Sequence, residues 1–145
     1  MGTALSHYVA AGRDERLREA LPKVAAGTTL STWTKEAGLY EGLAGLSWFL
    51  THYAEAGCHA DPDSILTARA NARRAATGLL KYAVPHTRGV HFLGSGAHRF
   101  SADLSGGGAE VLPALRRFLD GPGDEVFTLS PAHASTGATK QSGAR

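Results

Sequence analysis

The sequence predicts an all-α protein assembled from repeated helical hairpins, and three observations carry that reading. Two glycine-rich segments run straight into apolar helices: Gly-Leu-Tyr-Glu-Gly-Leu-Ala-Gly-Leu (Gly38 to Leu46) and Ser-Ala-Asp-Leu-Ser-Gly-Gly-Gly-Ala-Glu-Val-Leu (Ser101 to Leu112). Setting Gly42 on Gly107, an offset of 65 residues, also puts Ala44 on Ala109, Leu46 on Val111 and Leu50 on Leu115. Between the two segments lie a nearly all-apolar helix and an amphipathic one. Small residues at a helix start let backbones approach closely, so the recurrence predicts helices packed side by side at matching depth.

Taken in chain order, Leu5 to Ala11 and Asp14 to Ala26 read as helices. Asp14 is the N-cap of the second, and Leu17, Leu21 and Val24 are spaced by four and three along one apolar face, with Pro22 against it. Gly27 to Gly38, rich in hydroxyl and β-branched residues, reads as a loop or short extended segment. Glu41 to Ala56 is apolar nearly all round, through Leu43, Ala44, Leu46, Trp48, Phe49, Leu50, Tyr53 and Ala54, and a helix of that kind is buried on most sides. Gly57 is its expected C′ residue.

Ser64 to Tyr82 is amphipathic. Ile65, Ala68, Ala72, Ala75, Ala76, Leu79 and Leu80 form its stripe, while Arg69, Arg73, Arg74 and Lys81 lie off it. Val84 to Phe100, with Pro85, Gly89, Gly94 and Gly96, reads as a long connection holding a short Val-His-Phe-Leu extended piece. The second inner helix is expected at about Gly107 to Leu119, with Val111, Leu112, Leu115, Phe118 and Leu119 apolar. If it began at Ser105 or Gly106, Pro113 would kink it at a cost of about 3 kcal/mol. The helix therefore starts late, or this copy has drifted from function. Gly121-Pro122-Gly123 stops it, Val126 to Leu129 reads as a short docked strand, and Ser130 to Arg145 as a polar disordered tail. The expected organisation is one domain over residues 1–129 and a tail over 130–145.

Composition narrows the function. At 145 residues the chain has the size of one domain with a true core. No run reaches the ~20 apolar residues of a membrane span, and nothing at Met1 to Ala11 resembles a secretory signal, so a cytoplasmic protein is expected. A net charge of +2, with basic and acidic residues interspersed, does not predict a nucleic-acid partner. The single cysteine, Cys58, allows no internal disulfide. Cys58-His59 is too small a set for a metal site, and no metal or cofactor is expected. Gly94-Ser-Gly-Ala lacks the lysine and the strand-to-helix context of a phosphate-binding loop.

Gly38 to Leu50, Ala-Arg-Ala-Asn-Ala-Arg-Arg (Ala68 to Arg74) and Arg99 to Leu115, in this order, resemble the carboxy-terminal part of the LanC-like cyclase domain of class III lanthionine synthetases. The family pattern falls on Gly42, Ala44, Gly45, Gly107 and Ala109, and the similarity covers roughly Leu39 to Leu129. It implies a partial α/α toroid of two inner and outer helical hairpins, with the glycine-rich loops at one end of a central cavity. The activity implied is addition of a cysteine thiol to a dehydroamino acid in a precursor peptide. Zinc-dependent members supply two cysteines and a histidine for thiol activation, which this chain lacks, as class III relatives typically do.

In such a toroid the loops leading into inner helices face the cavity. Tyr40, Glu41, Arg99 and Asp103 are then the substrate-binding candidates, and His91 and His98 the candidates for acid–base work. Arg99 and Asp103 also read as a structural ion pair, Asp103 as an N-cap, and Trp48 as core. Glu110 departs from the pattern by standing where the first segment has Gly45, and its carboxylate must find solvent or Arg99.

Two hairpins make only an arc of a toroid, so Trp48, Phe49, Val111 and Leu112 are expected to show apolar surface. The chain is then expected to act with a precursor peptide or the remaining synthetase domains, to self-associate, and to be inactive alone. The alternative is a non-catalytic helical module that binds a peptide or protein. A glycan-processing α/α barrel would draw its carboxylates from Glu41, Asp103 and Glu110.

Overall fold

The computed structural model describes residues 14–28, 36–40, 42–56, 61–94, 96, 100 and 108–121. Among them are four α-helices, α1 (Glu15–Thr28), α2 (Leu43–Ala56), α3 (Pro62–Gly78) and α4 (Val111–Asp120), and one antiparallel hairpin of β1 (Ala83–His86) and β2 (Gly89–Phe92). No described helix is long and apolar enough to cross a membrane. The expected helix at Leu5 to Ala11, Gly57, the Cys58-His59 pair, the strand at Val126 to Leu129 and the tail at 130–145 lie outside the described residues.

α1 starts where its cap is: the Asp14 carboxylate accepts the Arg16 N–H at 2.8 Å. Pro22 sits inside the helix and removes one ladder hydrogen bond. Burial of Leu21 and Ala25 against α2 and α3 outweighs that local cost, and the helix runs on to Thr28. α3 begins at Pro62, a residue suited to a first turn. Asp61 caps it with both oxygens, Oδ1 accepting the Ser64 N–H at 3.0 Å and Oδ2 the Ser64 hydroxyl at 2.8 Å. These bonds hold the Asp61 carboxyl below the usual carboxylate range, the backbone bond first.

The inner helix behaves as its composition dictates, burying nine of its fourteen residues. Two contacts fix the direction of its neighbour α4. Glu110, just before α4, meets Leu39 just before α2, and Arg117 near the end of α4 pairs with Glu55 near the end of α2. The two helices are therefore parallel. Gly78, ending α3, lies against Leu43, the first residue of α2, where an added Cβ would come within 2.9 Å of Leu43 Cδ1. α3 is therefore antiparallel to α2.

Two apolar clusters result. One joins Ala37, α2, the end of α3, Phe92 of the hairpin and Val111 and Ala114 of α4. The other packs α1 on the last half of α2 and the first half of α3.

Several expectations change. The long connection is not all coil: Val84 to His91 pair as a hairpin about Thr87-Arg88, with Gly89 at φ +133°, a left-handed position that suits glycine. Its four-residue strands are too short to give a clear alternation, so the fold is mostly helical with a small sheet. Helix α3 ends at Gly78 and tightens into a 3₁₀ turn, Leu79–Tyr82, which turns Leu80 outward. As the late-start alternative has it, a 3₁₀ turn at Gly108–Glu110 precedes α4, so Pro113 is the third residue of the helix, where its missing N–H has no intrahelical role. Of the four residues expected to show apolar surface, Trp48, Phe49 and Val111 are buried and only Leu112 is exposed, because α2 is enclosed by α1, α3 and α4. Among the described residues α4 is the last helix, and the arrangement is α2 flanked by one antiparallel and one parallel neighbour.

An added Cβ at Gly45 would lie 1.7 Å from the Leu39 carbonyl oxygen, whereas at Gly27 nothing lies within 4 Å. Gly45→Ala is expected to abolish cooperative thermal unfolding. Gly27→Ala is expected to raise stability by roughly 0.5–1 kcal/mol. Circular dichroism melts of the two variants test this. The Asp61 cap has a depressed folded pKa, so its contribution is complete above the ordinary carboxylate value and is lost as pH falls through the folded value. The loss of stability caused by Asp61→Ala is thus expected to be full at neutral pH and to shrink below about pH 4, as followed by urea titrations across the acid range.

Candidate functional site

The glycine-rich lead into α2 is a compact hydrogen-bonded loop. Leu43, Ala44 and Gly45 donate their N–H groups to the carbonyls of Glu36, Ala37 and Gly38 at 3.1, 3.0 and 3.4 Å. These would otherwise be the unsatisfied donors of a helix start. The loop folds back so tightly that glycine is required: a Cβ on Gly42 would sit 2.5 Å from both Gly38 N and Gly38 O. A consequence for chemistry is that this helix start is already occupied by protein acceptors and offers little to an anion.

Glu110 joins the second lead to the first. It is 2% exposed, and its Oε2 accepts the Leu39 N–H at 2.7 Å. The expectation that Glu110 finds solvent is thereby corrected: its carboxylate is buried and reaches a backbone amide of the matching segment, while Arg99 lies outside the described residues. Gly108, two residues earlier, packs on the backbone of Phe92, 3.1 Å from its carbonyl oxygen for an added Cβ. The hairpin thus abuts the second lead.

Tyr40, next to the Leu39 clamp, is 66% exposed and is the substrate candidate that the structure leaves on the surface at this end. Ala44 is fully buried, Gly42 is buried and Gly45 half-buried, so these family-pattern positions serve packing, while Ala109 is exposed. Glu41, His98, Arg99, Asp103 and Gly107 lie outside the described residues, and with them the expected Arg99–Asp103 pair.

His91 lies on the exposed face of the hairpin, opposite in strand alternation to buried Phe92. Its ring meets those of His86, at 4.5 Å between centroids, and Phe100, at 5.4 Å. His86 Nδ1 accepts the Arg88 N–H at 3.3 Å. No group of three or more metal-ligating side chains occurs among the described residues.

Two functional constraints were missed in the sequence. Glu110 as a strap was within reach, since the offset that sets Gly42 on Gly107 also sets Gly45 on Glu110. The Arg117–Glu55 pair, with Arg117 7% exposed, had no signal beyond a basic residue on an amphipathic helix. Fold and site together define a small helical domain in which two parallel helices start from a shared glycine-rich clamp. Comparison with protein families, with curated proteins and with solved structures finds no match.

Removing the strap leaves the half-buried Leu39 N–H without its acceptor. Glu110→Ala is expected to cost about 2–4 kcal/mol and Glu110→Gln, which keeps an acceptor, about half of that. Urea denaturation of both variants measures the difference; equal costs would show that the charge of the carboxylate, and not side-chain volume or a neutral acceptor, holds the strap.

Proposed function

We propose that the chain is a segment of a LanC-like cyclase domain that presents a precursor peptide and is not active alone. The observation that carries the reading is the direction of the helices. α2 and α4 run parallel from glycine-rich leads at one end, with α3 antiparallel beside α2, and this is the order in which an α/α toroid alternates inner and outer helices. Exposed Tyr40 stands at the end where such a fold opens its cavity. The clamp itself supplies geometry: Glu110 takes the Leu39 N–H and the first amides of α2 go to the carbonyls of Glu36, Ala37 and Gly38.

The second reading, a non-catalytic helical module that binds a protein or a further copy of itself, is favoured by α4. Leu112 and Leu119, seven residues apart on one helix face, are 60% and 73% exposed.

A synthetic peptide bearing one cysteine and one dehydroalanine tests both. Under the first reading it binds, as followed by fluorescence anisotropy, Tyr40→Ala weakens binding severalfold, and the cysteine stays open to alkylation. Protein-dependent loss of the free thiol would make the chain a catalyst in its own right. Absence of binding at millimolar protein would end the peptide-presenting reading. Size-exclusion chromatography at rising concentration addresses the second: self-association relieved by Leu119→Ser is expected, and a strictly monomeric species would count against it.

A further inference from the structure

The outward face of α3 has a composition that packing does not explain. The exposed residues between the first turn of the helix and the following 3₁₀ turn include Leu66, Arg69, Arg73, Leu80 and Lys81, and the only acidic one is Asp63, at the start. Leu66 and Leu80 are 62% and 64% exposed. They lie about 21 Å apart along the helix axis, with both arginines between them.

Arg69 and Arg73 stand four residues apart on one face, a spacing at which like charges repel and destabilise a helix. Neither forms an ion pair among the described residues, although three other pairs do form. Lys81 Nζ lies over the Tyr82 ring, 5.2 Å from its centroid, and meets no carboxylate there. Among the described residues this face therefore keeps an uncompensated basic strip bounded by two exposed leucines.

We propose that this face of α3 is a docking surface for an acidic peptide segment that carries apolar residues. Charge selects the occupant: carboxylates would relieve the Arg69–Arg73 repulsion, and apolar side chains would cover Leu66 and Leu80. A nucleic acid would meet the charges and leave the leucines wet. A membrane surface would need the apolar face of the helix, which α3 has already buried against α2 through Ala68, Ala72 and Ala75. The surface is separate from Tyr40 and does not rest on the cyclase reading.

The test uses the full chain and a fluorescein-labelled peptide of glutamates with a leucine near each end, in an anisotropy titration. Binding is expected to weaken as salt rises, to fall about tenfold or more in the double variant Arg69→Glu/Arg73→Glu, and to fall severalfold in Leu66→Ser/Leu80→Ser. Tyr40→Ala is expected to leave it unchanged. All four substituted positions, three on α3 and Leu80 in the following 3₁₀ turn, are exposed, and circular dichroism checks that the variants keep their helix content. The proposal is overturned if the charge-reversed protein, still folded, binds as the parent does. It is overturned equally if an all-glutamate peptide, an oligonucleotide or anionic lipid vesicles bind as tightly as the leucine-bearing peptide.

Discussion

The peptide of Leu39 is held from two sides, and the arrangement of the helices depends on it. Gly45 lies under its carbonyl oxygen at a distance no side chain permits, while the Glu110 carboxylate takes its N–H. One residue on the glycine-rich turn thus sets the depth of α2 through a steric limit and the depth of α4 through a hydrogen bond. A steric limit of this kind is stiff, since a Cβ has nowhere to go, and the bond is strong because its acceptor is a carboxylate shielded from water. Matching depth follows from that shared residue.

The buried charges on α4 are placed to agree with this frame. Glu110 precedes the helix, where its amides concentrate positive potential, and Arg117 lies in the last turn, where the carbonyls concentrate negative potential. Each also has a partner on the lead or the end of α2, so burial does not leave either charge alone. The polar contacts therefore sit at the two ends of the α2–α4 pair, and the cluster around Val111 and Ala114 fills the space between. α1 joins through the second cluster only, remote from the clamp, and its cap and Leu21 hold it there despite Pro22.

What the sequence made legible was whatever depends on periodicity or on the absence of a side chain. The buried inner helix, the alanine stripe of α3, the Asp14 cap and the close approach at Gly42 and Gly45 follow from local composition. The hairpin was not legible, because four-residue strands with Pro85 among them give no alternation to count. The position of Pro113 was legible only as one of two alternatives, since it turns on whether Gly108 to Glu110, packed against Phe92, winds as 3₁₀ before the α-helix begins. Of the candidate site, Tyr40 and His91 are placed on the surface. The partnership of Glu110 with Leu39 needed the fold, because 71 residues separate the two.

The clamp also governs where recognition can happen. A helix start ordinarily offers free amides to an anion, but here the amides of α2 are given to the carbonyls of Glu36, Ala37 and Gly38, and the helix-start donors of α3 are met by Asp61. With these donors spent, a charged partner of α2 or α3 is read by side chains that stand away from the two helix starts. Arg69 and Arg73 on the outer face of α3 meet that condition, as they lie on the helix away from its buried alanines and are not drawn into the ion pair that ties α2 to α4. Rigidity at one end of the helices and unspent charge along an outer face are thus two results of the same distribution of hydrogen bonds.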